Sequence, residues 1–313
     1  MSFARSLTTG IRLLLGVALL LAVSCSAGEN GSPASSAPPP KSPSVETPTR
    51  TAGLYVLELA TGAVGPLAGV PPDSSALGAA VSPDGNRIAF DAEVDGSRQL
   101  WVMNADGTDL ERVTDGIEAI EPTWSPDGRL LAYTGIATDG LRTIFIVDLG
   151  SREIRPVTSE RSDVFGADWS PDGDSIAYQM QHGDGWRLRS VDVDSGKAVT
   201  LCCDRRDSMA SDADWSPDGE LLVFGYSTPE DNFALHTLTP SGSDDTPVSP
   251  ADPTRYHGHP VWSPDGSQIA YQGAPGIWVL DLATHSDRML DPEMWGPVWL
   301  DHDTLIVEMP PEG

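Results

Sequence analysis

Trp124-Ser125-Pro126-Asp127-Gly128-Arg129-Leu130-Leu131-Ala132-Tyr133 is one of five near-copies of a pattern spread along a 313-residue chain. The others run Val81 to Phe90, Trp169 to Tyr178, Trp215 to Phe224 and Trp262 to Tyr271, and a decayed sixth copy runs Trp299 to Val307. Their lead residues are spaced 43, 45, 46, 47 and 37 residues apart. A period in the forties suits four strands with their turns, the content of one propeller blade. Within each copy the proline presets φ at the first turn position, the aspartate tolerates the second, and the glycine supplies the positive φ at which the chain re-enters a strand. The copy therefore reads as two strands joined by a tight hairpin. Its tryptophan is a broad apolar wedge for the neighbouring blade.

Outward from each copy the pattern continues. Third strands are predicted at Leu100–Asn104, Thr143–Leu149, Trp186–Val193, Phe233–Leu238 and Ile277–Leu282, and short fourth strands follow, as at Glu111–Thr114 and Ala198–Leu201. The sixth copy has only its first two strands before the chain ends. Leu54–Leu59 and Val64–Leu67 read as the missing third and fourth strands. The expected fold is all-β: a six-bladed β-propeller of four-stranded antiparallel blades over residues 51–313, its last blade completed by the N-terminal strands. Such closure leaves no free inner edge.

The first fifty residues differ in kind. Arg5 and Arg12 precede an apolar run from Leu13 to Val23, too short for the about 20 residues of a membrane span. Residues 1–24 read as a secretory signal. Leu21-Ala22-Val23-Ser24-Cys25 resembles a bacterial lipobox, which implies lipidation at Cys25; the alternative is ordinary cleavage nearby. Residues 26–50 hold six prolines and six serines and too few large apolar groups to fold, so residues 25–50 read as a tether to the membrane. The expected location is extracytoplasmic, lipid-anchored to the bacterial cell membrane. A net charge of −27 repels nucleic acid and favours cationic partners.

Repeated Trp-Ser-Pro-Asp-Gly followed by an Ile-Ala-Tyr-like triplet resembles the TolB-type, WD40-like propeller repeat, and the same repeat occurs in the propellers that gate prolyl-oligopeptidase-type peptidases. The resemblance covers residues 51–313. It implies a monomeric extracytoplasmic binding module for a protein, peptide or cell-envelope ligand. No Gly-x-Ser-x-Gly nucleophile turn is present.

Aligning the six innermost strands three positions before their lead residue brings Gly78, Glu121, Gly166, Asp212, His259 and Gly296 into line. If they face the channel, Glu121, Asp212 and His259 converge as candidate metal ligands, for which calcium or zinc would be the cation. Glu118, Asp163 and His257 are expected nearer the mouth. In layout this resembles the single-calcium site of six-bladed lactonase propellers, which implies the alternative function, a metal-dependent hydrolase. The plainer alternative is a polar, water-filled lining. Cys202-Cys203 falls at the end of a fourth strand, and either a vicinal disulfide or two thiols fits the sequence.

Overall fold

The computed structural model describes residues 52–71, 74–116, 118–228, 233–249 and 257–309. The segment read as a secretory signal, Cys25 and the stretch read as a tether lie outside the described residues. The 24 strands form six four-stranded sheets, each fully antiparallel. Blades one to five are continuous in sequence, their innermost strands being Leu77–Val81, Ala119–Trp124, Val164–Trp169, Met209–Trp215 and Gly258–Trp262. Blade six joins Trp295–Trp299 and Thr304–Met309 to the N-terminal Gly53–Glu58 and Val64–Pro66, the closure expected from the sequence. Neighbouring innermost strands touch all the way round, which closes the ring. Predicted third and fourth strands agree with the observed ones to within a few residues.

The repeated hairpin is held by its own side chains. Ser125 Oγ donates to Asp127 Oδ1 at 2.7 Å and accepts from the Leu130 amide at 2.9 Å, and the Gly128 amide bonds Ser125 O at 2.8 Å. The same serine–aspartate bond recurs at Ser82, Ser170, Ser216 and Ser263. Gly128 has φ +68°, where any other residue would be strained.

The lead tryptophans are wedges between blades. Trp124 packs with Ala89, Leu100 and Val102 of blade one and with Leu131 and Tyr133 of its own blade. Its indole Nε1 donates to Ala80 O of blade one at 3.1 Å. Trp169 packs with Ile144 and Ile146 of blade two in the same way. Trp124→Ala, at 5 % exposure, is expected to destabilise the ring by ~3 kcal/mol in urea unfolding. Trp262, only half-buried, should lose less on the same change. Equal losses at the two sites would contradict the wedge role.

Candidate ligand site at the channel mouth

Every innermost strand breaks register once with its neighbour. The breaks fall between Leu77 and Ala80, Ile120 and Thr123, Phe165 and Asp168, Ala210 and Ala213, Gly258 and Val261, and Trp295 and Val298. These are β-bulges, which re-aim the side chains they carry. Pro122, Pro260 and Pro297 stand in three of them, where the ladder does not need their missing N–H.

In five blades the residue three before the lead has a left-handed backbone: Gly78 (φ +58°), Glu121 (+54°), Gly166 (+60°), His259 (+45°) and Gly296 (+52°). Glycine adopts this at little cost. Glu121 and His259 each hold a conformation that costs on the order of 1–3 kcal/mol in a residue with a Cβ. Strain of this kind collects where a side chain is needed in place.

The bulge amides are capped from the preceding blade. Glu308 Oε1 accepts from the Gly78 amide at 2.7 Å, Asp91 Oδ1 from the Glu121 amide at 3.0 Å, and Gln272 Oε1 from the Gly296 amide at 3.2 Å. Glu121 Oε2 reaches the Gly166 amide at 3.4 Å and accepts from Thr134 Oγ1 at 3.3 Å. Gln179 Nε2 donates to Asp212 Oδ1. Asp91, Thr134, Gln179, Gln272 and Glu308 all follow the apolar triplet of their blade's second strand. Blade four has Gly225 there, and a Cβ would lie 1.9 Å from His257 O. This second ring was missed in the sequence, although polar residues recurring after an apolar triplet were visible in it.

Glu121, Asp212 and His259 do converge. His259 Nδ1 lies 2.5 Å from Asp212 Oδ2, and the His259 side chain is 51 % exposed. The Asp212 carboxylate raises the His259 pKa to about 9, with help from Glu121 and Glu308. Burial would raise the Asp212 carboxyl, but the His259 charge and hydrogen bond hold it below its ordinary range. Burial lifts Glu121 to about 7, and the Asp212 charge adds to the rise. Asp91 and Glu308 are raised as well, first by burial; Arg98, ion-paired to Asp91, works against the rise at both.

Three carboxyls, Asp212, Glu121 and Glu308, thus act on one imidazolium, and Asp91 stands close to two of them. His259 and Asp212 turn their facing atoms on each other, and among the described residues no group of three or more His, Cys, Asp or Glu is arranged to hold a metal ion.

The remaining predicted residues have other partners. Glu118 is ion-paired with Arg142, whose guanidinium stands 4.9 Å over the Phe165 ring. Asp163 Oδ1 accepts from the Arg142 amide at 2.9 Å. His257 is 1 % exposed and stacks on Tyr271 at 5.2 Å, so its ring is packed in the protein rather than open to a ligand. Trp295, 49 % exposed at the start of the blade-six innermost strand, pairs across the strands with Glu308.

The family model described as TolB beta propeller domain matches residues 31–257. The chain is 40 % identical over 84 residues to the Tol-Pal system protein TolB of Alcanivorax borkumensis, which covers 26 % of this chain and 19 % of that protein. It is 31 % identical over 105 residues to a TolB homolog of Chlorobium luteolum, 34 % of this chain and 24 % of that one. The matched stretch thus spans about a fifth to a quarter of these curated relatives. Among solved structures, the putative TolB from Agrobacterium tumefaciens superposes with a TM-score of 0.69 at 18 % identity, covering 84 % of this chain and 99 % of that one. The repeat, the ring and the match to most of its length together make this chain a member of the TolB β-propeller domain family.

Proposed function

We propose that this propeller is a binding module of the cell envelope whose channel mouth receives a positively charged group of a protein or peptide partner. The observation that carries the reading is the cluster of Glu121, Asp212 and Glu308 around His259, with Asp91 beside Glu121, kept in place although Glu121 and His259 are backbone-strained. Carboxyls outnumber cations there, and the exposed Trp295, strand partner of Glu308, offers a ring face that suits a guanidinium or ammonium. In this reading the leader directs export and is removed, the acylated Cys25 holds the propeller at the membrane, and the partner is met on its outer side.

The sign of the pH dependence follows from the two titrating groups. Glu121 gains its negative charge as pH rises through about 7, and His259 loses its positive charge as pH rises through about 9. Both steps make the mouth more attractive to a cation. Binding of acetyl-Gly-Arg-Gly-amide, which stays charged throughout, is expected to strengthen about tenfold between pH 6 and pH 9, or ~1.4 kcal/mol. Glu121→Gln should flatten the lower half of that rise, and Asp265→Asn, at the hairpin end, should leave it intact. Calorimetric titration at low salt reads both. No binding at any pH, or equal loss in the two variants, would remove the mouth as the site.

A further inference from the structure

Cys202 and Cys203 are joined by a disulfide. Neighbouring residues in an extended strand point to opposite faces, so the bond requires Cys203 to leave the strand. It does so with φ +71°, in the left-handed region. Cys202 still pairs with Leu188, across a bulge in the outermost strand of blade three. From Cys203 the chain turns into the loop 203–208 and then into Met209–Trp215, the channel strand that carries Asp212.

The loop is held by its own bonds and is seated on its neighbour. Arg206 O accepts from the Asp184 amide at 2.9 Å and Ser208 O from the Trp186 amide at 2.8 Å. Ser208 Oγ lies 3.1 Å from Cys203 O and 2.8 Å from Arg205 O. The seat is tight: a Cβ on Gly183 would come 2.7 Å from Arg206 Cβ, and one on Gly185 would come 2.0 Å from Ser208 O. The direction in which the chain leaves Cys203 therefore decides whether the loop reaches this seat.

The charges next to the bond in sequence are balanced rather than acidic. The protein as a whole carries −27, which would repel an approaching thiolate. Beside the disulfide that charge is compensated. Arg187 pairs with Asp204 at 3.3 Å and Arg205 with Asp207 at 3.1 Å, and Arg206 makes no ion pair among the described residues. Positive charge near a sulfur stabilises the thiolate that enters and the thiolate that leaves. Both cysteines are half-buried, packed on one side against the cluster of Leu201, Trp215 and Phe224.

We propose that Cys202–Cys203 is a site of reversible exchange with a dithiol, and that its oxidised form holds the loop 203–208 in its seat at the entry to the Asp212 strand. One thiolate of the dithiol attacks a sulfur of the pair, forming a mixed disulfide and releasing the other cysteine as a thiolate. The second thiol of the dithiol then displaces the remaining cysteine. The pair gains two electrons and two protons, and the dithiol leaves as its own disulfide. Oxidation by a disulfide of the same class runs the steps backwards. Without the bond, Cys203 is free to leave its left-handed conformation and the loop loses its anchor.

The full chain is treated with dithiothreitol in native buffer, alkylated with iodoacetamide and mapped by peptide mass. Cys202 and Cys203 should be unlabelled before reduction and both labelled after it. Amide hydrogen exchange at 184–186 and 203–208 should become at least tenfold faster on reduction, with Ser175–His182 unchanged. The Cys202→Ser, Cys203→Ser double variant should show the fast exchange with or without dithiothreitol. Thiols that label before any reductant, a bond reduced only in denaturant, or a loop whose exchange is the same in both states would each overturn the proposal.

Discussion

Deleting residues 53–67 is expected to unfold the entire ring rather than fray one blade. Gly53–Glu58 pairs along its full length with Thr304–Met309, so the deletion leaves that strand as an open edge. The lost side chains also face two ways. Leu54 and Leu67 pack with Ile88, Phe90 and Met103 of blade one, whereas Tyr55 and Leu57 pack with Ala270, Ile277 and Val279 of blade five. Four buried side chains at about 1.5–3 kcal/mol each amount to roughly 6–12 kcal/mol. The whole stability of a domain is about 5–15 kcal/mol. Blades one and five would each lose a packing face together, and their neighbours depend on them in turn. Calorimetry and circular dichroism should show no cooperative transition in the deleted chain. A soluble variant that still melts in one step would show that the ring does not need its closing strands.

The closure was legible because it is written in the repeat: a sixth copy with two strands at one end, two unassigned strands at the other. The convergence of Glu121, Asp212 and His259 was legible for the same reason, since equivalent positions in a ring must meet near its axis. Their neighbours were not. Asp91 reaches the amide of a residue 30 positions on, and Glu308 the amide of one 230 positions away. Neither bond follows from strand alternation, because the bulge turns the amide out of the ladder and towards the next blade. His257 illustrates the opposite error. Its charge type suited the mouth, but the start of the Gly258–Trp262 strand lies against Tyr271, and packing won over polarity. The vicinal cysteines were ambiguous in sequence because a disulfide there depends on one backbone angle, which no spacing rule supplies.

Asp91→Ala is expected to cost about 3–5 kcal/mol, and to act on the site as well as on stability. The Asp91 residue is 2 % exposed. One carboxylate oxygen accepts from the Glu121 amide and the other is ion-paired with Arg98 Nε. Arg98 Nη2 also donates to Ser75 O at 2.9 Å and to Asp91 O at 3.0 Å, so the guanidinium is fixed and cannot swing out to find water with all its donors. Removing the carboxylate leaves a part-buried cation without its counter-charge, the situation that makes breaking a buried pair expensive. It also orphans the amide of Glu121, which already sits at φ +54°. Asp91→Asn keeps an acceptor for that amide while losing the charge, so its cost should be smaller, about 1.5–3 kcal/mol. Urea unfolding orders the two variants. The electrostatic consequence has its own readout. Burial is the main reason Glu121 titrates near 7, but the Asp91 charge contributes to the rise. Carboxyl NMR should therefore find the Glu121 midpoint lowered in both variants, so that the mouth gains its charge at lower pH and the strengthening of cation binding begins earlier. A lower midpoint with full stability would mean that water replaces the carboxylate on Arg98 and on the amide. Lost stability with an unchanged midpoint would mean that Asp91 braces the bulge without taking part in the electrostatics of the mouth.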